Sequence, residues 1–153
     1  MANTFSQIYI QLVFAVKGRQ SLVLEKNREA LEKYICGIVS GLGPKVMALY
    51  CMPDHLHLFI SLRPTTVLAD FVRDVKANSS KWMNDNRKTP FSFSGQEGYG
   101  AFSYSKSQKS QVIQYVLNQA EHHRKKTFRE EYIEFLEKYE IEYDEKYLFE
   151  WIE

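Results

Sequence analysis

Two histidines, His55 and His57, interrupt an apolar run in the segment CMPDHLHLFI. If this segment forms a β-strand, residues two apart point to the same face, so the two imidazoles lie side by side while Leu56, Leu58 and Ile60 face the other way. Neutral imidazole binds Mn, Fe, Ni, Cu or Zn well and joins oxygen ligands around Mg less often. The pair therefore indicates either a divalent-metal site or two histidines that are hydrogen-bonded within a sheet.

A second group of polar residues lies on a predicted helix further along the chain. Tyr115, Gln119 and His122 or His123 are spaced i, i+4 and i+7 or i+8, which places them on one helix face. This stripe is too polar for an ordinary core face, although a lone tyrosine often only packs its ring and leaves its hydroxyl in water. If the helix crosses the sheet face that carries the two histidines, Gln119 can offer a carbonyl oxygen as a third ligand and Tyr115 can act as a nucleophile.

The elements that must position these residues follow from hydrophobic periodicity and turn signals. In chain order the sequence predicts a strand at about 6–16, a helix from 25 to about 42, strands in KVMALYCM and HLHLFISL, a helix capped by Thr65 or Thr66 that ends near Asn86, a long polar loop RKTPFSFSGQEGYG, a strand in AFSYS, a third helix in SQKSQVIQYVLNQAEHHRKK, and an acidic, tyrosine-rich last helix with a docking tail. The order β-α-β-β-α-β followed by helices predicts an α+β fold, a ferredoxin-like split β-α-β sandwich with an antiparallel sheet and additional C-terminal helices.

Composition limits the class of protein. A chain of 153 residues that is 44% hydrophobic fits one compact domain. We expect a soluble cytoplasmic protein with no membrane segment, because no run of 18 apolar residues occurs and the start lacks the layout of a signal peptide. The two cysteines, Cys36 and Cys51, argue against a disulfide framework or a cysteine-based zinc site.

Charge is unevenly divided along the chain. Residues 63–126 carry 11 Lys and Arg against 5 Asp and Glu, whereas residues 127–153 carry 3 against 10. The basic middle can attract a polyanion such as nucleic acid, although a charge run is more often a solvated face.

Four separated motifs carry a resemblance to a known family. MPDHLHLFISL, VKANSSKWMN, GYGAFSYSKS and VIQYVLNQAEHH, in this order, resemble the HUH single-tyrosine transposases of insertion sequences and their REP-associated tyrosine transposase relatives, where HUH denotes His, hydrophobic residue, His. The resemblance runs from the first strand to about His123. It implies an HUH transposase domain over 1–126, with 127–153 as an acidic helix and tail that docks on the same domain.

The resemblance also implies a mechanism and a set of site residues. His55, His57 and Gln119 become ligands of Mg or Mn, and Tyr115 attacks single-stranded or hairpin DNA to leave a 5′-phosphotyrosine, so that the strand can be rejoined in DNA transposition. Relatives of this kind commonly act as homodimers, and the sequence leaves open whether Tyr115 serves its own subunit or the partner. The general base is also open, with Glu121, His122 and His123 as candidates.

The remaining expectations concern DNA contacts and rival functions. Trp82 or Phe91 is expected to stack on bases. Backbone contacts are expected from five cations of the basic middle: Arg73, Lys76, Lys81, Arg87 and Lys88. Two other functions fit parts of the pattern: a domesticated nucleic-acid-binding relative without catalysis, and a metal-dependent hydrolase that uses water.

Overall fold

A four-stranded antiparallel sheet forms the centre of the computed structural model, which describes residues 4–17, 23–88, 93–96, 98–149 and 151. The strands are β1 (Tyr9–Ala15), β2 (Lys45–Cys51), β3 (His55–Ser61) and β4 (Gly100–Tyr104), in the spatial order β2-β3-β1-β4. Every pairing between neighbouring strands is antiparallel. This order and the helices below confirm the predicted α+β, ferredoxin-like fold.

One face of the sheet is covered by two long helices, α1 (Glu25–Leu42) and α2 (Leu68–Asp85). The inward side chains of both helices join Leu56, Leu58 and Ile60 of β3 in the main hydrophobic core. Alternation along β3 therefore sends its apolar residues to this face, as the sequence predicts.

The predicted threonine cap of the second helix is wrong. The N-cap residue of α2 is Val67, which makes no side-chain cap hydrogen bond. Thr66 instead belongs to the preceding turn, where its backbone N–H donates to the carbonyl of Arg63 at 3.0 Å. Thr66 therefore lies in the turn that precedes the helix.

The opposite face of the sheet carries three shorter helices, α3 (Lys109–Leu117), α4 (Gln119–His122) and α5 (Phe128–Lys138). The single helix predicted in SQKSQVIQYVLNQAEHHRKK is wrong, because the structure divides it into α3 and α4, whereas α5 is the predicted last helix. Asn118 leaves helical geometry at φ −102° and ψ 25°, while its N–H still donates to Gln114. The interruption divides the predicted stripe between two helices without separating its residues.

The last helix packs on the sheet through aromatic residues. Phe128, Tyr132 and Leu136 of α5 share a core with Val13 and with further side chains of the sheet and the C-terminal segment: Ala15, Phe102 and Phe149. The segment that follows α5 supplies part of this core, with Tyr139, Leu148 and Trp151 packed against it. The acidic segment is thus a structural layer over this face of the sheet.

Gly100 allows the close approach of α5. A Cβ atom at this position would come within 2.8 Å of the Tyr132 ring and hydroxyl.

Among the described residues, none of the helices has the length and apolar character needed to cross a bilayer.

Candidate active site

His55 and His57 lie on the sheet face that α3, α4 and α5 cover. In β1 their cross-strand partners are Ala15 and Val13, and both histidines are essentially inaccessible to solvent, at 1% and 0% exposure. Their ring centroids are 5.1 Å apart. The two imidazoles therefore lie side by side, as the strand alternation predicts.

A third histidine, His123, joins this pair from the end of α4. Its ring centroid lies 4.7 Å from that of His55, and its side chain is 10% exposed. The sequence predicts His122 or His123 on the polar stripe with Tyr115 and Gln119, and both as candidate bases. The structure places His123 in the histidine cluster.

In all three rings the Nδ1 atom faces an oxygen. The distances are 2.6 Å from His55 to Asp54 Oδ1, 2.6 Å from His57 to Gln11 Oε1, and 2.8 Å from His123 to the carbonyl of Lys126. Gln11 donates its own Nε2–H to the Tyr104 hydroxyl at 2.8 Å, which leaves its oxygen to accept. Each Nδ1 thus donates its N–H, and in the neutral ring each Nε2 carries the lone pair.

The Nε2 atoms turn toward one carboxylate, Glu131 of α5, which is 4% exposed. Its Oε1 lies 2.9 Å from Nε2 of His57, 3.3 Å from that of His123 and 3.8 Å from that of His55. The candidate ligand atoms of these four residues all lie within 4.8 Å of one another. Glu131 is therefore central to the site, although it comes from the acidic segment beyond the four motifs.

Tyr115 reaches the same carboxylate from α3. Its hydroxyl donates to Glu131 Oε2, and its ring centroid is 5.9 Å from that of His57. Burial and the neighbouring Glu131 charge raise the pKa of the Tyr115 hydroxyl above its ordinary value. One chain thus supplies both the tyrosine and the histidines, so the arrangement in this structure is in cis.

Gln119 lies beside the cluster and is fully buried. Its Oε1 is 3.0 Å from Nε2 of His123, and its Nε2 donates to the Tyr115 carbonyl at 3.2 Å. The carboxamide oxygen thus points toward the histidines, while its role as a ligand stays a prediction.

The other candidates for a general base are placed less favourably than Glu131. The His122 ring lies over the Tyr115 ring, with the centroids 4.5 Å apart, and Glu121 pairs with Arg124 at 3.2 Å. Glu131 Oε2 accepts the Tyr115 hydrogen bond directly. Burial alone would raise the pKa of Glu131, but the charge of His57 and hydrogen bonds from the surrounding residues lower it below its ordinary value.

The donor set at this site fits a divalent cation. Nε2 of His55 is buried and has no hydrogen-bond partner among the residues that the structure describes, and burial lowers the pKa of His55 to about 4, so the ring is neutral at pH 7. Neutral imidazole nitrogens and a carboxylate oxygen are common ligands of transition metals. A bound cation would give the unpaired His55 nitrogen a partner.

Two openings lead to the Tyr115–Glu131 pair from different sides. A cavity of about 300 Å³ is bordered by Gln108, Gln111 and Lys138 in addition to the pair. A second, of about 410 Å³, is bordered by Lys125 and Lys126 and again by the pair. The tyrosine and its carboxylate partner therefore border both cavities.

The five predicted DNA-contacting cations lie on or just after α2, across the sheet from Tyr115. Arg73 pairs with Asp70 at 3.3 Å and Lys81 with Asp85 at 3.3 Å, and both side chains are exposed. Lys76 donates to the carbonyls of Gln96 and Gly98. These three are therefore not brought to the histidine cluster.

The last two cations and the predicted stacking aromatics lie near the end of α2. Arg87 has a positive φ of 49°, and the Lys88 ammonium lies 5.4 Å from the centre of the Trp82 ring. Trp82 itself stacks on Tyr34, with centroids 5.1 Å apart. Phe91 lies outside the described residues. Contacts of Arg87 and Lys88 with DNA therefore stay predictions.

Two residues of the site, Glu131 and Gln11, carry sequence signals that the motif analysis missed. Glu131 stands in the apolar stripe of α5, three residues after Phe128 and four before Phe135. Gln11 is the polar member of an otherwise apolar strand run. A buried polar residue within an apolar pattern requires a partner, which is the signal that both positions offered.

Comparison with known proteins gives one family match. The model of the family described as IS200-like transposases matches residues 4–119. Among curated proteins, the ISDra2 transposase TnpA of Deinococcus radiodurans is 30% identical over 77 residues, which is 50% of this chain and 55% of that protein. The chain thus spans about half the length of the curated relative that it matches.

Two solved structures have similar folds. A protein assigned as a transposase from Deinococcus radiodurans R1 shares 25% identity with a TM-score of 0.62, covering 78% of this chain and 95% of that one. A REP-associated tyrosine transposase bound to a REP hairpin shares 12% identity with a TM-score of 0.60, covering 80% of this chain and 73% of that one. At 12% identity, the second likeness concerns the fold alone.

Proposed function

Since this chain belongs to the IS200-like transposase family, we propose that it cleaves and rejoins single-stranded or hairpin DNA through a covalent bond between Tyr115 and a 5′ phosphate. One observation carries the proposal. The Tyr115 hydroxyl and the Nε2 atoms of His55, His57 and His123 converge on the carboxylate of Glu131. A tyrosine whose only role was to pack its ring would not need a hydroxyl that is hydrogen-bonded to a carboxylate beside three histidines.

The proposed reaction is a transfer between two oxygen atoms at phosphorus. The Tyr115 Oη attacks the scissile phosphate, a bond from Oη to phosphorus forms, and the bond from phosphorus to the 3′ oxygen breaks. Glu131 Oε2, which accepts the hydrogen bond of the hydroxyl, takes the tyrosine proton and returns it, directly or through water, to the departing 3′ oxygen, which becomes a hydroxyl. The phosphotyrosine conserves a phosphodiester-like bond, so that attack by another 3′ hydroxyl rejoins DNA without a high-energy cofactor.

His55 and His57 are the proposed metal ligands, and Gln119 is a third ligand by resemblance to the family. Mg or Mn, when bound there, would supply positive charge that polarises the phosphate. The protein's own contribution is orientation. Asp54 and Gln11 hold the two strand histidines through Nδ1, and Glu131 holds the tyrosine hydroxyl.

The proposed substrate is a hairpin or single strand that enters through the two openings beside Tyr115. Lys125 and Lys126 border one opening, where they can contact backbone phosphates. The REP-associated relative is bound to a REP hairpin, and we extend hairpin binding to this chain on that ground. A homodimer stays a prediction, and so does the choice between Tyr115 acting in its own subunit and acting in the partner.

A covalent-adduct assay tests this function. The protein is incubated with Mn²⁺ or Mg²⁺ and end-labelled single strands that carry candidate hairpins, and the products are separated on a denaturing gel beside Tyr115→Phe and His57→Ala. We expect a metal-dependent adduct that both variants lose. Tyr147→Phe is the matched control, because Tyr147 is 79% exposed and lies outside the site.

The other outcomes of the same assay identify the rival functions. DNA binding without an adduct on any hairpin tested would refute cleavage by Tyr115 and favour the domesticated binding protein. Cleavage that persists without an adduct in Tyr115→Phe would favour the water-using hydrolase.

A further inference from the structure

We propose that His123 and Glu131 are ligands of the same divalent cation as His55 and His57, giving a three-histidine, one-carboxylate centre that favours a transition metal such as Mn²⁺ over Mg²⁺. The inference deepens the proposed function and rests on it for the cation's role in DNA cleavage. The binding of the cation is measured without DNA.

The first argument is the fixed orientation of the rings. Each Nδ1 is occupied by an acceptor that comes from a different part of the fold: Asp54 in the β2–β3 turn, Gln11 in β1 and the Lys126 carbonyl before α5. With Nδ1 donating, Nε2 is the atom left to bind a cation. This is the arrangement in which an outer carboxylate or carbonyl orients a metal-bound histidine.

The second argument is the set of oxygen acceptors that face the three Nε2 atoms. The space among the three Nε2 atoms is bordered by Oε1 of Glu131 and Oε1 of Gln119, which accept but do not donate. A positive charge, carried by a proton or by a cation, must lie between Oε1 of Glu131 and the Nε2 atoms of His57 and His123, which are 2.9 and 3.3 Å away. A single divalent cation meets this requirement for the whole cluster, including the unpaired Nε2 of His55.

The third argument is burial. Glu131 is 4% exposed, and a buried carboxylate costs free energy unless it is paired. Its two oxygens have separate partners, since Oε1 faces the histidines and Oε2 accepts from Tyr115. One carboxylate thereby connects the cation to the nucleophile, which sets the position of the hydroxyl relative to the cation.

The donor set selects the class of metal. Imidazole nitrogens suit Zn, Cu, Fe and Ni best. Mn²⁺ stands at the weak end of this series but accepts nitrogen ligands more readily than Mg²⁺, which prefers oxygen ligands and keeps several waters. We therefore expect Mn²⁺ to bind to the metal-stripped full chain more tightly than Mg²⁺ in calorimetric titrations. Equal affinity for the two ions would overturn the three-histidine assignment.

Matched pairs of variants locate the two new ligands. Glu131→Gln keeps the side-chain shape and is expected to weaken Mn²⁺ binding by at least about tenfold and up to about 100-fold, the effect that removal of even an outer partner causes. Its control is Glu134→Gln, since Glu134 lies on the same helix and pairs with Lys126. His123→Ala is compared with His122→Ala, whose ring lies outside the cluster, and circular dichroism verifies that each variant is folded.

A spectroscopic measurement counts the ligands directly. Pulsed electron paramagnetic resonance of Mn²⁺ bound to ¹⁵N-labelled protein counts the coordinated histidine nitrogens, and we expect three in the wild type and two in His123→Ala. Two nitrogens in the wild type, or unchanged Mn²⁺ affinity in both Glu131→Gln and His123→Ala, would reduce the centre to the strand pair and overturn the inference. If three nitrogens are found and no DNA adduct forms, the proposed function fails and the metal centre stands.

Discussion

The packing of α5 over Gly100 can be tested by adding one methyl group. In Gly100→Ala the new Cβ would lie 2.8 Å from the ring and 2.8 Å from the hydroxyl of Tyr132, and 3.0 Å from Phe102. Ordinary van der Waals contact begins near 3.4 Å. The Tyr132 ring is 5% exposed and packs against Phe149 at 4.9 Å between centroids, so relief requires that α5 itself moves.

We expect Gly100→Ala to lower the free energy of unfolding by about 1–3 kcal/mol, the usual range for an overpacked core. Urea unfolding followed by circular dichroism measures the change as a lower midpoint at constant slope. Gly37→Ala is the matched control, because Gly37 lies within α1 and, apart from its chain neighbours and its own helix backbone, no atom of the described residues lies within 4 Å of an added Cβ. There the same methyl group is expected to stabilise the protein by about 0.5–1 kcal/mol.

The two substitutions must therefore shift the urea midpoint in opposite directions. If Gly100→Ala were as stable as the wild type while Gly37→Ala behaved as expected, α5 would not be held at this distance from the sheet. The placement of Glu131, one residue before Tyr132, would then lose its support.

Two further predictions concern the site and the basic surface. Gln11→Leu removes the acceptor of His57 Nδ1 and is expected to weaken Mn²⁺ binding by about 10–100-fold in calorimetry; affinity equal to that of the exposed control Gln114→Leu would show that the ring does not depend on Gln11. The double variant Arg73→Gln, Lys81→Gln is expected to reduce the slope of log affinity for single-stranded DNA against log salt by about 0.7 for each phosphate that is no longer neutralised. An unchanged slope would remove both residues from the DNA interface.

Local patterns were sufficient to predict most of the fold. The helix stripe from Glu25 to Leu42 is α1 with the same bounds, and the run HLHLFISL contains β3. These elements have strong periodicity and clear turn signals at their ends. The strand at about 6–16 was predicted too long, since β1 covers Tyr9–Ala15, and strand ends depend on pairing with neighbours.

The break at Asn118 shows what periodicity cannot predict. The apolar spacing of Val112 and Val116 continues smoothly toward the histidines, so the sequence favours one long helix. The structure inserts a non-helical residue and still keeps Tyr115 and Gln119 in contact. Such a break depends on tertiary packing, which the pattern of apolar and polar residues along the sequence does not encode.

The sequence predicts the site residues that stand in short motifs, but it misses those that come from distant parts of the chain. The face shared by His55 and His57 follows from alternation alone. Glu131 meets His57 across 74 positions of sequence, and the acidic segment around it resembles a solvated tail. His122 and His123 were left as alternatives on the polar stripe, because helix spacing does not show which of two adjacent histidines turns inward.

The anchoring of the three rings also bears on how quickly the site can exchange its ion. Because Asp54, Gln11 and the Lys126 carbonyl already hold the imidazoles, the side chains lose their rotamer freedom when the chain folds and not when a cation arrives. If a cation binds there as proposed, its capture requires no rearrangement of these ligands, and we expect its rate to be set by the loss of water from the ion and by passage through the cavities beside Tyr115. Release would require the loss of several ligand bonds, so slow exchange of the ion is the expected consequence of this anchoring.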